Sequence, residues 1–364
     1  MPPRNPSIPE PYAGRIARVR GAMGGRRLDA YLVFDRMDQI WLTGFTGEDG
    51  GVLVTRRQVV LLTDGRFAET ADLEAPFARK VLRKKRGPEA TARELKRCRA
   101  ARVGFDPSHM DVKTFGELRK LARPAKLEPV SGLITAMRQI KDAGEIAAIR
   151  RAIRVAENAF VRVQKWLKPG RTEREVAARL VYEMQRLGAQ GASFEPIVAY
   201  GATSSLPHYE PSDRVISADC GVLVDWGARV DWYVSDLTRM LWPGSIPRRF
   251  ATVYRIVKEA QERAIAVIAP GIKAGAVDRV AREHIRKSGY GKQFTHSLGH
   301  GFGLDVHERP GLRKKSDERL EPGMVVTVEP GIYLPGVGGI RIEDDVLVTE
   351  TGHEVLSSLS KDLP

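Results

Sequence analysis

Cysteine is scarce in this sequence: Cys98 and Cys220 are the two that occur among 364 residues, far apart and without a C-x-x-C partner. Such usage argues against a disulfide framework and against a cysteine-based zinc site. Long apolar runs are also missing, and no stretch approaches the roughly 20 residues of a transmembrane helix. The polar, proline-rich residues 1–11 lack the basic start and apolar run of a signal peptide. We therefore expect a soluble, cytoplasmic protein.

The composition and length are those of an ordinary globular chain. Hydrophobic residues make up 42% and charged residues 29% of the sequence, as in soluble proteins generally. The length favours two domains, each large enough for its own core. Residues 1–136 hold 26 Lys+Arg against 16 Asp+Glu, and the remainder holds 33 against 29. The first part of the chain therefore carries most of the net charge of +14.

The densest basic stretch, residues 79–102, contains 11 basic and 2 acidic residues. A run of this kind can bind phosphates or acidic partners. No aromatic side chains are interleaved with its charges, whereas single-stranded nucleic acids are bound by aromatic stacking beside basic groups. We therefore interpret the stretch as a solvated helical face and do not expect a nucleic acid as partner.

Residues 1–136 have the pattern of a small α/β domain. Apolar periodicity predicts helices at 15–23 and 111–121 and strands at 29–34, 51–55, 59–63 and 103–106. We place the domain boundary between residues 136 and 137, because the segment 137–142 leads into a long helical pattern, 143–167. Asp142 and Glu145 can form a capping box at the start of that helix, and Pro169-Gly170 ends it.

Residues 137–364 contain a faint internal repeat. Each copy has a long helix, then Pro-Gly, a second helix and, 18 positions after the first glycine, another glycine. The copies are helix 143–167, Pro169-Gly170, helix 172–187 and Gly188, and then helix 250–268, Pro270-Gly271, helix 276–287 and Gly289. The sequence therefore predicts a duplicated α+β domain whose two halves face a central cleft.

Four acidic residues fall in the predicted strands of this repeat. The first half supplies Asp225 and Asp236, and the second supplies Glu329 and Glu343. A carboxylate in a core-facing strand is costly unless it is paired or bound to metal. Any one of the four could instead pair with an arginine, such as Arg239 or Arg341. Four converging carboxylates would repel one another, and divalent cations would remove that conflict.

Histidines cluster in the second half. His296, His300 and His307 lie in one glycine-rich segment of 12 residues, and the whole chain has only seven histidines. Glycines let a backbone approach a ligand closely. A neutral imidazole among carboxylates suits Zn, Mn, Co or Fe better than Ca. His208, which follows Pro207, is a fourth candidate.

These residues resemble the pita-bread metallopeptidases, in particular the Xaa-Pro dipeptidase (prolidase) and Xaa-Pro aminopeptidase branch. The resemblance covers most of residues 137–356. It is carried by Pro207-His208-Tyr209, Asp225-Trp226-Gly227, Ser235-Asp236-Leu237-Thr238-Arg239, the block 296–308, Val328-Glu329-Pro330-Gly331-Ile332-Tyr333 and Gly339-Ile340-Arg341-Ile342-Glu343-Asp344. It implies a pita-bread catalytic domain, residues 137–364, preceded by a smaller α/β domain, residues 1–136.

The resemblance also implies a site with two divalent metal ions, expected to be manganese, with cobalt or zinc as alternatives. Asp225 would bind one ion, Asp236 and Glu343 would bridge both ions, and His300 and Glu329 would complete the second. A water activated by the ions would attack the scissile carbonyl.

Further roles follow from the same resemblance. His208 and His307 would hydrogen-bond the substrate and the intermediate, and His296 matches an outer position. Arg341 would orient the last ligand or meet a substrate carboxylate. Glu329 would also relay a proton to the leaving nitrogen. The expected substrate is an Xaa-Pro dipeptide or a short peptide, and the expected assembly is a homodimer.

Three alternatives differ in what they require. A methionine aminopeptidase would use the same five ligands but usually lacks a preceding domain like residues 1–136. Creatinase-like relatives lose the ligands, whereas here all five are present. A pita-bread pseudoenzyme that binds protein or nucleic acid would suit the basic first domain, but such a module has no need of five mutually repelling groups. The sequence leaves open whether dipeptides or longer peptides are cleaved.

Overall fold

The computed structural model of the protein describes residues 7–84 and 87–363. The chain divides into two compact units, Met1–Arg138 and Gln139–Pro364. The predicted boundary between residues 136 and 137 lies two residues before this division. Part of the proline-rich N-terminus, residues 1–6, and Lys85 and Arg86 of the basic stretch lie outside the described residues.

Unit 1 is a mixed sheet with helices, as expected of an α/β domain. Its elements are α1 Tyr12–Gly25, β1 Ala30–Val33, α2 Arg36–Thr43, β2 Gly50–Thr55, β3 Val59–Asp64, α3 Ala68–Glu74, β4 Arg79–Arg83, α4 Glu89–Arg97, β5 Arg102–Phe105, α5 Val112–Leu121, β6 Lys126–Pro129 and α6 Leu133–Arg138. The six described strands follow the order β4-β3-β2-β1-β5-β6. Strands β1, β2 and β3 pair antiparallel, and the outer pairings are parallel.

The basic stretch 79–102 contains a strand, β4, as well as the predicted helix. Five of its cations face carboxylates of the same unit. The pairs are Arg79–Glu94, Lys80–Asp72, Arg83–Asp49, Arg97–Glu94 and Arg102–Glu128. This pairing reduces the positive potential that is available to an acidic partner. That no nucleic acid binds here stays a prediction.

Unit 2 contains the internal repeat. Its elements are α7 Ala143–Trp166, α8 Glu173–Arg186, β7 Gly191–Ala192, β8 Ile197–Tyr200, β9 Val222–Trp226, β10 Ala228–Val230, β11 Tyr233–Val234, β12 Leu237–Leu241, α9 Arg248–Ile265, α10 Ala274–Lys287, β13 Gly299–Gly301, β14 Glu308–Leu312, β15 Val325–Val328, β16 Gly331–Leu334, β17 Gly338–Arg341, β18 Asp344–Val348 and β19 His353–Val355. Its sheets have the orders β12-β9-β8, β14-β13-β15-β18-β19, β11-β10-β7 and β16-β17.

Helix α7 starts where the capping box predicts. Asp142 accepts a hydrogen bond from the Glu145 amide at 2.9 Å, and the Glu145 carboxylate accepts one from the Asp142 amide at 3.0 Å. The 24-residue helix buries Ile149, Ile153 and Phe160 on one face at helical spacing.

Within the described part of the chain, no helix combines the length and apolarity that crossing a membrane would require.

The two halves of unit 2 repeat the same local geometry. After the first helix of each half, Gly170 and Gly271 adopt φ values of 97° and 84°, which glycine reaches without strain. Their amides donate to the carbonyls of Ile216 at 2.8 Å and Leu320 at 2.7 Å. The glycines that end the second helices, 188 and 289, also have positive φ. The turn after the first helix therefore has the same geometry in both halves.

A hairpin interrupts an antiparallel strand pair in each half, and the four acids lie at these interruptions. Hairpin β10-β11 separates β9 from β12, and hairpin β16-β17 separates β15 from β18. Asp225 lies in β9, as predicted. The prediction that all four acids lie within strands is wrong for Asp236, Glu329 and Glu343, which occupy the breaks beside β12, β15 and β18. A break frees the backbone to turn a side chain out of the ladder.

Close packing fixes strand β9, which contains Asp225 and Trp226. The Trp226 ring stacks on Phe160 at 4.3 Å between centroids, and its indole nitrogen donates to the Ala156 carbonyl at 3.0 Å. Trp226 is fully buried, and burial of such a side chain stabilises the fold by about 1.5–3 kcal/mol. Strand β9 therefore presents the side chain of Asp225 from a rigid support.

The next residue, Gly227, gives a test of this packing. A Cβ there would lie 1.8 Å from the Ser235 carbonyl oxygen and 2.2 Å from Ser193 Oγ, so Gly227→Ala must displace backbone. We expect the free energy of unfolding in urea to fall by about 1–3 kcal/mol, the usual cost of overpacking. Gly191→Ala in β7 is the matched control, because a Cβ there has no neighbour within 4 Å. Equal unfolding midpoints for the two variants would contradict this account.

Candidate metal centre

One cavity of about 610 Å³ in unit 2 collects side chains from both halves of the repeat. All the candidate residues from the sequence line it. They are Asp225, Asp236, His300, Glu329 and Glu343, together with His208, His296, His307 and Arg341. The faint repeat and the resemblance thus point to one place in the structure.

Three carboxylates form the centre of the cavity. Asp225, Asp236 and Glu343 each offer an oxygen, and these oxygens lie within 4.8 Å of one another. Burial raises the pKa of all three carboxyls, and the negative charges of the neighbouring acids raise the pKa of Asp236 and Glu343 further. Among the described residues, Oδ1 of Asp225 has no hydrogen-bond partner. Asp225 pairs with one cation, Arg341, so the three acids together carry more negative charge than this partner offsets.

His300 and Glu329 form a second group beside Asp236. Nε2 of His300 lies 3.6 Å from Oδ2 of Asp236 and 3.5 Å from Oε1 of Glu329. Nδ1 faces the Gly301 carbonyl at 3.1 Å, and a carbonyl can only accept, so Nδ1 carries the proton. Burial, with the adjacent His307, lowers the pKa of His300 to about 4. The ring is therefore neutral, and the lone pair of Nε2 points at two carboxylates.

This donor set fits divalent metal ions. A lone pair that faces carboxylates at 3.5–3.6 Å is repelled by them unless a cation lies between. Four carboxylates with one imidazole are ligands for ions such as manganese, cobalt or zinc. The bare oxygen of Asp225 is available to such an ion. The residues present thus suit the two-ion site that the sequence predicts.

Arg341 holds Asp225 through a buried hydrogen-bond network. Its guanidinium forms an ion pair with Oδ2 of Asp225 and donates to the Tyr333 hydroxyl at 2.7 Å and to Thr238 Oγ1 at 3.1 Å. The residue is 3% exposed. The expectation that Arg341 orients Glu343 or meets a substrate carboxylate stays a prediction. The guanidinium pairs directly with Asp225, and it is linked to Glu343 through the Thr238 hydroxyl, which donates to Oε2 of Glu343.

His296 continues this network away from the carboxylates. Its Nδ1 donates to the Ser297 carbonyl at 2.7 Å, so Nε2 accepts from the Tyr333 hydroxyl at 2.9 Å. Burial lowers the pKa of His296 to about 4, which keeps the ring neutral. Tyr333 thus accepts from Arg341 and donates to His296, and the chain of bonds fixes the direction of every proton in it.

Three residues of this network were missed in the sequence: Tyr333, Thr238 and Thr327. Thr238 donates to Oε2 of Glu343 at 2.6 Å, and Thr327 donates to Oε1 of Glu329 at 3.3 Å. Each threonine lies two positions from one of the acids, Asp236 or Glu329, and this spacing puts side chains on one face of an extended chain. That spacing was the available signal. For Tyr333 the available signal was its place in the motif 328–333, which carries the resemblance.

His208 and His307 lie at the wall of the cavity. His208 follows the 3-10 turn Gly201–Ser205, and His307 packs its ring 4.3 Å from that of His300. Both side chains are exposed to the cavity, unlike the buried carboxylates. They are therefore placed to contact a bound molecule.

Residues 147–350 match the model of metallopeptidase family M24. The chain belongs to this family. Residues 15–140 match the creatinase/prolidase N-terminal domain. As a member of family M24, the protein is a metallopeptidase, a hydrolase that uses divalent metal, and the pseudoenzyme alternative gains no support.

Similar proteins cover nearly the whole chain. An Xaa-Pro dipeptidase from Pyrococcus horikoshii is 34% identical over 350 residues, 96% of this chain and 98% of the relative. The solved structure of an Xaa-Pro dipeptidase from Bacillus anthracis has a TM-score of 0.93 and 37% identity, covering 97% of this chain and 99% of its own. An X-Pro aminopeptidase from Thermotoga maritima has a TM-score of 0.89 and 35% identity, covering 96% and 99%. The predicted architecture, a pita-bread domain after a smaller α/β domain, is confirmed.

The Tyr333 hydroxyl provides a test of the network in this M24 protein. Tyr333→Phe leaves a buried donor of Arg341 and a buried acceptor of His296 without a partner. We expect the free energy of unfolding to fall by about 1–3 kcal/mol, measured by urea denaturation. Tyr182→Phe is the control, since Tyr182 is 49% exposed. A Tyr333→Phe protein as stable as this control would show that the network does not support the site.

Proposed function

We propose that the protein hydrolyses the peptide bond between an N-terminal residue and proline. The observation that carries this proposal is the convergence of Asp225, Asp236 and Glu343 with the His300–Glu329 pair in one cavity. The similarity to both Xaa-Pro dipeptidases and an X-Pro aminopeptidase supports proline as the second residue of the substrate.

The five residues would hold two divalent ions. Asp225 belongs to the carboxylate cluster, and His300 with Glu329 forms the neighbouring group. Asp236 is close to both groups, so we assign it, with Glu343, to both ions. The ions would supply Lewis acidity, which lowers the pKa of water and polarises a carbonyl. The excess of carboxylates over imidazole favours manganese, with cobalt or zinc as alternatives.

The chain's own side chains handle the substrate. His208 and His307 face the cavity and would hydrogen-bond the substrate and the intermediate. Burial raises the pKa of the Glu329 carboxyl to about 8, whereas a bound ion would lower it, because a nearby cation favours the carboxylate. The carboxylate would then accept a proton from water and pass it on. A proline nitrogen carries no N–H in the peptide and must gain a proton to leave, which is the role we assign to Glu329. Arg341 orients Asp225.

Other parts of the proposal concern the whole protein. We assign residues 1–136 to an N-terminal domain and residues 137–364 to the catalytic domain, and the division into two units at Arg138 supports this. A homodimer, on the basis of the resemblance, and a cytoplasmic location also belong to the proposal.

Substitution of a shared ligand tests the metal assignment. We expect Asp236→Ala or Glu343→Ala to lose both ions and to abolish hydrolysis, because Asp236 lies close to both groups of ligands and we assign Glu343 to both ions with it. Metal content is measured by mass spectrometry after gel filtration. His208→Ala is the matched variant for metal content, since His208 lies outside the cluster and should keep both ions while turning over slowly. Near wild-type metal content in Asp236→Ala would show that the assignment is wrong.

The substrate class is tested with short peptides. Gly-Pro, an X-Pro-X tripeptide and the control dipeptide Gly-Ala are incubated with protein loaded with manganese, cobalt or zinc. We expect the manganese form to cleave at least one proline peptide faster than Gly-Ala, and the comparison of dipeptide with tripeptide shows which length is preferred. A metal-loaded protein that leaves both proline peptides intact would contradict the proposal.

A further inference from the structure

A buried ion pair lies outside the cavity and takes no part in the mechanism above. Nζ of Lys141 donates to Oε2 of Glu308 at 3.0 Å, and the two side chains are 1% and 2% exposed. Neither residue lines the cavity. Removing two charges from water costs several kcal/mol per ion, so the position of this pair calls for a reason. Lys141 belongs to the segment 137–142 before α7, to which the sequence gave no role.

The second oxygen of Glu308 closes the bend that carries His307. Oε1 accepts from the amides of Leu304 and Asp305, each at 3.2 Å. The pair also packs directly on this bend, because a Cβ on Gly303 would lie 3.0 Å from both Lys141 Cε and Glu308 Oε2. Lys141 thus fixes one carboxylate oxygen, and that carboxylate fixes the backbone of residues 303–305.

The bend connects the two histidines of the cavity. Gly301 of β13 lies opposite Glu308 of β14, and the register shifts between His300 and Gly301. The chain therefore leaves the strand pair after Gly301, next to His300, and re-enters it at Glu308, directly after His307. His307 is exposed to the cavity and Glu308 is buried, as expected of neighbours on opposite faces of an extended chain. Whatever holds Glu308 on the inner face sets the place of His307 on the outer face.

We propose that the Lys141–Glu308 pair positions His307, and that Lys141 is a positioning residue for the hydrolysis. The proposal rests on the proposed function, in which His307 contacts the substrate. Lys141 touches neither the metal ligands nor the cavity, so its effect passes through Glu308 and the bend 303–307. Its loss should change turnover without changing the metal content.

Two uncharged double variants separate positioning from simple stabilisation. Lys141→Met with Glu308→Gln keeps an oxygen for the two amides, whereas Lys141→Met with Glu308→Leu removes it, and neither leaves an unpaired charge. In full-length, manganese-loaded protein we expect kcat of the first to fall only slightly, because the amide oxygen of the glutamine can still accept from the two backbone amides but is no longer held by Lys141. We expect kcat of the second to fall by up to about 100-fold, as misplaced catalytic groups do, with both ions retained. Equal kcat values for the two variants would overturn the proposal.

A second cycle asks whether the effect passes through His307. The Lys141→Met, Glu308→Leu change is combined with His307→Ala, and we expect no further loss of kcat beyond that of His307→Ala alone, since coupled groups are not additive. Losses that multiply would overturn the proposal. Glu183→Gln is the control: its buried carboxylate pairs with Arg162 and Arg179 away from the cavity, so stability should fall while kcat does not.

If no proline peptide is cleaved, the proposed function is refuted but the positioning role of the Lys141–Glu308 pair is not. Crystal structures test that positioning role directly. The separation of the His300 and His307 ring centroids, 4.3 Å here, is compared between the metal-loaded wild type and the two double variants. We expect the larger change in the Glu308→Leu variant and a smaller one in the Glu308→Gln variant, which keeps an oxygen for the two amides. An unmoved His307 ring in both would overturn the positioning role.

Discussion

Buried carboxylates that repel one another are the constraint on which the catalytic unit depends. Asp225, Asp236 and Glu343 meet in one cavity, and Glu329 adds a fourth negative group nearby. Without a bound cation this arrangement destabilises the fold, because burial and like charge both oppose the ionisation of the carboxyl groups. Divalent ions bound between these groups would reverse the balance, and their binding free energy would then contribute to the stability of the fold.

The cationic and neutral side chains around the carboxylate cluster have different roles. Arg341 is committed to Asp225, Tyr333 and Thr238, so it compensates part of the charge permanently. His300 and His296 stay neutral because burial and carbonyl acceptors fix their protons. The exposed histidines, His208 and His307, are therefore the groups free to meet a substrate. The buried, hydrogen-bonded residues and the exposed histidines therefore line the same cavity.

Much of the fold could be predicted from the sequence, and the reasons are local. The capping box of α7 and the glycines with positive φ, Gly170 and Gly271, act through contacts a few residues away, which spacing reveals. The hairpins that interrupt β9–β12 and β15–β18 were not predicted. The breaks beside Asp236, Glu329 and Glu343 arise from pairing with distant strands, such as the bridge between Thr238 and Glu343, and apolar alternation does not show this.

The sequence by itself determined the kinds of ligand, their order in the two halves and the family to which they belong, because residue type and spacing are written along the chain. The tertiary structure alone decided which groups face each other. It paired Arg341 with Asp225, placed Tyr333 between His296 and Arg341, and buried Lys141 against Glu308. Tyr333 and Arg341 are 8 residues apart on the hairpin β16-β17. The other partners are separated by 37 to 167 residues, so their contacts follow from tertiary packing and from no local pattern.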